Sequence, residues 1–158
     1  MKERGIRDEM EQGNEMCMEF DSRACNEGFA RVAVAAFMTQ LNPTLEEVAD
    51  VKTAVSEAIT NAIIHGYGGK VRKIRVECSM TGKLLKITVI DSGCGIADVE
   101  KAMEPLYTTR PEMDRAGMGF SFMEAFMDRL EVTSKPGEGT VVRMEKLIGR
   151  PAFDEKEE

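Results

Sequence analysis

The 158-residue chain has no tryptophan, one histidine and no two of its four cysteines in a Cys-x-x-Cys spacing. A structural zinc site needs ligands clustered at short spacing, so Cys17, Cys25, Cys78 and Cys94 are expected as free, buried thiols. The lone histidine, His65, falls at the end of a helical pattern. That is a poor place for a phospho-accepting group and argues against an autonomous histidine kinase. No apolar run is long enough to span a membrane, and Met1 to Asn14 is charged, without a signal-peptide core. The cytoplasm is therefore the expected compartment. Basic charge is also short, with 21 Lys and Arg against 28 Asp and Glu and a formal net charge of −7. A phosphate backbone wants a basic face, so nucleic acid is not the expected partner; a basic protein segment fits better.

What is present is ordinary globular material, 42% hydrophobic and 31% charged, enough for one domain with a real core. Met16, Met18 and Phe20 alternate with Cys17 and Glu19 and predict a short strand. Asp21 and Ser22 can start a helix with Phe29, Val32, Ala33, Ala36, Phe37 and Leu41 on one face, ended by Asn42-Pro43. Ile74 to Met80 and Leu85 to Val89 predict a hairpin closed at Thr81-Gly82-Lys83. A short helix is expected over 97–103. A second begins at Gly119, with Phe120, Met123, Phe126, Met127 and Leu130 on one face, followed by strands over 131–134 and 140–147. Between them, 104–116 shows no sustained periodicity, and a loop of that length in a compact domain is usually functional or disordered. Helices plus strands arriving as hairpins predict an α+β sandwich, with three main helices on one face of a mixed, mostly antiparallel sheet. Residues 1–13 read as a flexible extension, 14–148 as the domain and 149–158 as an acidic tail.

The chain is organised around a helix opening at Thr44, where Glu47 completes a capping box. Val48, Val51, Val55, Ala58, Ile59, Ala62 and Ile63 form its apolar stripe, and Gly66 stands ready for a positive φ just past its end. Glu57, Asn61 and His65 are four apart and stack beside that stripe. A carboxylate and a carboxamide one turn apart can polarise a nucleophile and hold a hydrated cation. Asp91 follows a strand, with Gly93 and Gly95 behind it. Its carboxylate can accept from an exocyclic amine such as adenine's, while the glycines let a ring lie close to the backbone. Gly117-Met118-Gly119 precedes a helix, whose N-terminal amides suit phosphate. Singly, the Glu57/Asn61 pair is more often a solvated helix face and Asp91-x-Gly93 more often a plain turn.

In that order, Glu57/Asn61, Asp91/Gly93/Gly95, a long loop, Gly117/Gly119 and Gly139/Thr140 resemble the ATP site of the gyrase, chaperone and histidine-kinase (GHKL) superfamily. Asn26 to Arg31, Tyr107 to Glu112, Arg115 to Phe120 and Phe126-Met127-Asp128 extend the similarity. They resemble the anti-sigma-F family of endospore-forming bacteria, across roughly Asn14 to Leu147. The resemblance implies a Bergerat-type fold. It also implies a protein serine kinase that uses ATP and Mg²⁺, binds a sporulation sigma factor and phosphorylates its anti-anti-sigma antagonist, and forms a homodimer. By position it makes Glu57 the general base, Asn61 the magnesium ligand and Asp91 the adenine reader, with Gly93 and Gly95 shaping the pocket. Thr108, Thr109 and Arg115 would belong to a lid, Gly117, Met118, Gly119 and Phe120 would cradle phosphates, and Thr140 would line the adenine end. Glu27 and Arg31, on an exposed stretch of the first helix, match partner-binding positions. Asp114, where the family carries a glutamate, joins them with a shorter reach. His65 receives no catalytic part. A general-stress anti-sigma kinase and a nucleotide-dependent binding module without turnover are the alternatives. A gyrase-type ATPase would want a following transducer domain that this chain has no room for.

Overall fold

Phe20 turns inward from the first strand, β1 (Asn14–Asp21), with Met16 and Met18 packed partly buried beside it, as the period of two predicts. The structure is a computed structural model and describes residues 13–104 and 119–149. After β1 come α1 (Ala24–Met38), a 3₁₀ turn over Thr39–Leu41, and α2 (Leu45–Asn61), which a π-helical turn over Ala62–Gly66 prolongs. Then follow β2 (Lys73–Thr81), β3 (Leu84–Asp91), α3 (Val99–Ala102), α4 (Gly119–Phe126), β4 (Arg129–Lys135) and β5 (Gly139–Leu147). The strands lie in the order β1-β2-β3-β5-β4. Every described pairing is antiparallel, so the expected mixed sheet is antiparallel throughout these strands.

One face of the sheet supplies the core. Ile74, Leu85, Ile87 and Met144 are fully buried, each apolar side chain contributing about 1.5–3 kcal/mol by leaving water. The other face carries exposed ion pairs such as Arg75–Glu77 and Arg143–Glu131, worth little apiece. The α2 helix packs between α1 and α4 and buries Val51, Ala54, Val55, Ala58 and Ile59. Its capping box forms as predicted. The Glu47 N–H donates to Thr44 Oγ1, and the Thr44 N–H donates to Glu47 Oε1. The β2–β3 hairpin closes through Gly82-Lys83, with Gly82 at φ 57°.

Three expectations need correction. The α1 helix starts at Ala24, because Asp21 stays in β1 and the buried Ser22 hydroxyl is used to tie the loop, donating to the Lys70 carbonyl and accepting from the Arg72 N–H. Its inward face is Ala30, Val34, Ala35 and Met38; of the expected row, Phe37 and Leu41 reach the core, but Phe29 and Val32 are 60% and 57% exposed. Residues 29–38 are nearly all apolar, so periodicity fixes a helix there but not its rotation. Gly66 does not adopt a positive φ; Gly68 and Gly69 do. Smaller shifts occur at element ends. The short helix is confined to α3, capped by Asp98, and β4 and β5 each extend beyond the expected spans. Met127 and Leu130 lie past the end of α4, although both still pack on the core.

Candidate functional site

Asp91 ends β3 opposite Thr140 on β5 and is 93% withdrawn from solvent, at 7% exposure. Burial pushes its carboxyl above the ordinary carboxylate value, and hydrogen bonds from the Gly93 and Thr140 backbone N–H groups pull the other way. Gly93 N–H reaches Asp91 Oδ1 at 2.9 Å. The turn behind it is pinned from three sides. Ser92 N–H donates to the buried Tyr67 hydroxyl at 2.8 Å, and Tyr67 in turn donates to the Lys73 carbonyl. Cys94 N–H donates to the Gly66 carbonyl at 2.8 Å, and Ile96 N–H donates to Ser134 Oγ at 2.7 Å. Ser134 also donates to the Gly139 carbonyl and shares a hydrogen bond with the Thr140 hydroxyl.

Gly93 and Gly95 have a reason that sequence reasoning missed. A Cβ on Gly93 would lie 2.0 Å from the Gly66 carbonyl oxygen, and one on Gly95, at φ 73°, 2.0 Å from that of Lys135. Their bareness is needed first so that the backbone can close on itself; both also stand on the cavity wall. Gly66 itself lies against Asp91, where a Cβ would come within 2.8 Å of Oδ1. The widened helical end at 62–66 brings this glycine beside the carboxylate, and such π turns recur at functional sites.

The cavity in front of Asp91 measures about 910 Å³, the upper range for a small-molecule site. Asn61, Asp91, Gly93 and Gly95 line it together, and so do Gly119, Phe120 and Thr140. Those seven expected site residues are thus gathered in one place. Asn61 touches the start of α4, since a Cβ on Gly119 would sit 3.0 Å from its Nδ2. Glu57 is half-buried one turn earlier on α2 and is not among the residues lining the cavity. Glu27 and Arg31 lie on α1, away from it, and are half-buried rather than exposed. They pair at 3.6 Å, and Glu27 accepts a close hydrogen bond from Ser56 of α2. Thr108, Thr109, Asp114, Arg115, Gly117 and Met118 lie outside the described residues. His65, expected near the site at the Asn61+4 spacing, lines the wall, and Lys70 and Arg72 join it unforeseen.

Four free cysteines are present, but only Cys78 is buried, and burial pushes its thiol up to about 12. Cys17, Cys25 and Cys94 are exposed, contrary to expectation, because Cys17 occupies the outward phase of β1 and Cys94 sits at a turn. Among the described residues no helix is long and apolar enough to cross a membrane. No group of three or more His, Cys, Asp or Glu side chains among them could enclose a metal. Asn61 offers one carboxamide oxygen, a donor set that suits a cation completed by phosphate and water rather than by a protein cage.

The domain that carries this buried carboxylate, glycine-braced turn and cavity-lining carboxamide is a nucleotide-binding ATPase domain of the GHKL kind, by its family match. Residues 21–146 match the family model described as a histidine kinase-like ATPase domain. The "Anti-sigma F factor" of Thermoanaerobacter sp. (strain X514) is 59% identical over 89% of this chain and 98% of its own. That of Caldanaerobacter subterraneus subsp. tengcongensis is 58% identical over 89% and 99%. The crystal structure of the RsbU and RsbW domains of Rv1364c from Mycobacterium tuberculosis shares the fold. Its TM-score is 0.64 at 21% identity, covering 88% of this chain and 33% of that one. The chain belongs to the anti-sigma F factor family of histidine kinase-like ATPase domains.

Gly66→Ala tests the glycine at the carboxylate. The fold should survive, since alanine is the better helix former by about 1 kcal/mol. The added methyl must displace the Asp91 carboxylate, and ADP affinity is expected to fall about tenfold or more. A calorimetric titration with the melting midpoint measured alongside checks both.

Proposed function

We propose that the chain is an anti-sigma factor and a protein serine kinase. It binds and inhibits a sporulation sigma factor as a cytoplasmic homodimer, and phosphorylates that factor's anti-anti-sigma antagonist on serine with ATP-Mg²⁺. The observation that carries the reading is the single cavity shared by Asp91, Asn61 and the Gly119 helix start, in a chain whose relatives bear the anti-sigma F name over nearly their whole length.

In this reading Asp91 accepts from the adenine amine, with Thr140 beside it. Asn61 would hold Mg²⁺ through its carboxamide oxygen, and the cation would supply charge neutralisation at the phosphates. Gly119 and Phe120 present the start of α4 to the phosphates, and the resemblance alone assigns Thr108, Thr109, Arg115, Gly117 and Met118 to the same phosphates. Glu57 takes the proton of the substrate serine hydroxyl. Glu27, Arg31 and Asp114 meet the protein partners, and the acidic balance of the chain suits a partner with a basic face. The position of Glu57 off the cavity wall favours one second reading, a nucleotide-dependent sigma-binding module without turnover.

Incubation with labelled ATP and the antagonist protein separates the two: serine phosphate on the antagonist supports the kinase, and sigma binding without it supports the module. The metal is tested by Asn61→Ala. ADP affinity should drop about tenfold in magnesium and change little in EDTA, because only the cation-linked contact is removed. Equal weakening in both would make Asn61 a structural residue.

A further inference from the structure

The base and the metal ligand of the proposed site both ride on α2, so the rotation of that helix about its axis decides where they point. The first turns of α2 are tied by Glu47, which accepts from the Gly149 N–H, and by Asp50, 3.9 Å from Lys146 Nζ. Farther along, its buried face alternates Ala54 and Ala58 with Val51, Val55 and Ile59. A directional bond is found one residue before Glu57. Ser56 Oγ donates to Glu27 Oε1 across the α1–α2 contact, in a half-buried setting. Glu27 is held in turn by Arg31, whose Nε is buried with no hydrogen-bond partner among the described residues and whose contact with Glu27 is 3.6 Å.

The α1 helix is a fixed reference. Asn26 Nδ2 donates to the Asp21 carbonyl at the end of β1, and Ser22 ties the same end to Lys70 and Arg72. A bond from α1 to Ser56 is therefore a bond from the sheet to the azimuth of α2. The leverage is large. Turning a helix by about 10° moves atoms near its rim by about 1 Å. A misplacement of that size can cost on the order of a hundredfold in rate.

We infer that Ser56 is a positioning residue: its hydrogen bond to Glu27 sets the rotation of α2 and so the direction in which Glu57 and Asn61 are presented. The kinetic part of this inference rests on the kinase reading, whereas the geometry of Asn61 does not. The test uses the full chain with Ser56→Ala and Ser56→Thr. Without the hydroxyl, the Asn61 side-chain amide and the backbone amide of Gly119, the residue packed against it, should shift in the NMR spectrum of the nucleotide-free protein. Threonine, which keeps the hydroxyl, should restore them.

In phosphotransfer, Ser56→Ala should lower kcat by about tenfold or more and raise KM for ATP-Mg²⁺ by less than the roughly tenfold expected of Asn61→Ala, both restored by threonine. The melting midpoint should stay within about 2 °C. Unmoved Asn61 and Gly119 resonances overturn the inference whatever the turnover. So does a Ser56→Ala protein whose stability, ATP affinity and rate collapse together. A wild-type protein that transfers no phosphate overturns the kinase reading instead, and the two resonances then decide the role of Ser56.

Discussion

Glu57→Gln is expected to bind ATP as the parent does and to phosphorylate the antagonist at least about a hundredfold more slowly. The amide keeps the size of the carboxylate and removes the ability to accept a proton. The helix around it should be undisturbed, since glutamine and glutamate have nearly equal helix propensities and the apolar stripe and capping box of α2 do not include residue 57. Glu57 is not part of the cavity wall, so ground-state nucleotide affinity should not register its loss. That separation makes the result decisive, because a fall in kcat with unchanged ATP affinity marks an interaction made only as the reaction proceeds. Rapid-quench transfer from labelled ATP, with a parallel nucleotide titration, reads both quantities. Transfer at near the parent rate would take Glu57 out of the chemistry and leave the binding-module reading standing.

The legible parts of this chain are those where one local interaction decides the outcome. Thr44 and Glu47 cap α2 because two orphan backbone and side-chain groups satisfy each other within four residues. Gly82-Lys83 turns the hairpin because two alternating strands leave no other place for it. The cavity members Asn61, Asp91 and Gly119 are legible as a spaced series, although nothing in their spacing gives the distance between them. The rotation of α1 is not legible. Phe29, Val32, Val34 and Met38 all compete for the core, and the winning row is chosen by what α2 and the sheet leave room for. Likewise Gly66 reads as a helix stop from sequence. Its actual constraint, the carboxylate of a residue 25 positions away, exists only after β3 has been laid down beside it.

Asp91→Asn should pull nucleotide binding and the pH dependence of folding in different directions. The exocyclic amine of adenine would lose an anionic acceptor, and the carboxamide must turn one N–H₂ toward a neighbour that is itself a donor, because Gly93 and Thr140 both direct backbone N–H groups at this side chain. ADP and ATP affinities should therefore fall together by about 10- to 100-fold, equivalent to about 1.4–2.7 kcal/mol. Stability follows a separate rule. Burial raises the folded-state pKa of Asp91 above its ordinary 3.8, so the folded domain binds this proton more tightly than the unfolded chain does. Stability then declines as pH rises through the interval between the ordinary and the raised value, and above that interval the full cost of burying the charge is present. Asparagine carries no such charge. The melting midpoint of the variant relative to the parent should therefore climb from about pH 4 toward neutrality. Melting curves of the two nucleotide-free proteins across that range check the sign. A difference that stays flat with pH would mean that the Asp91 charge is fully compensated by its two N–H donors. An ADP affinity equal to the parent's would place adenine somewhere other than against this carboxylate.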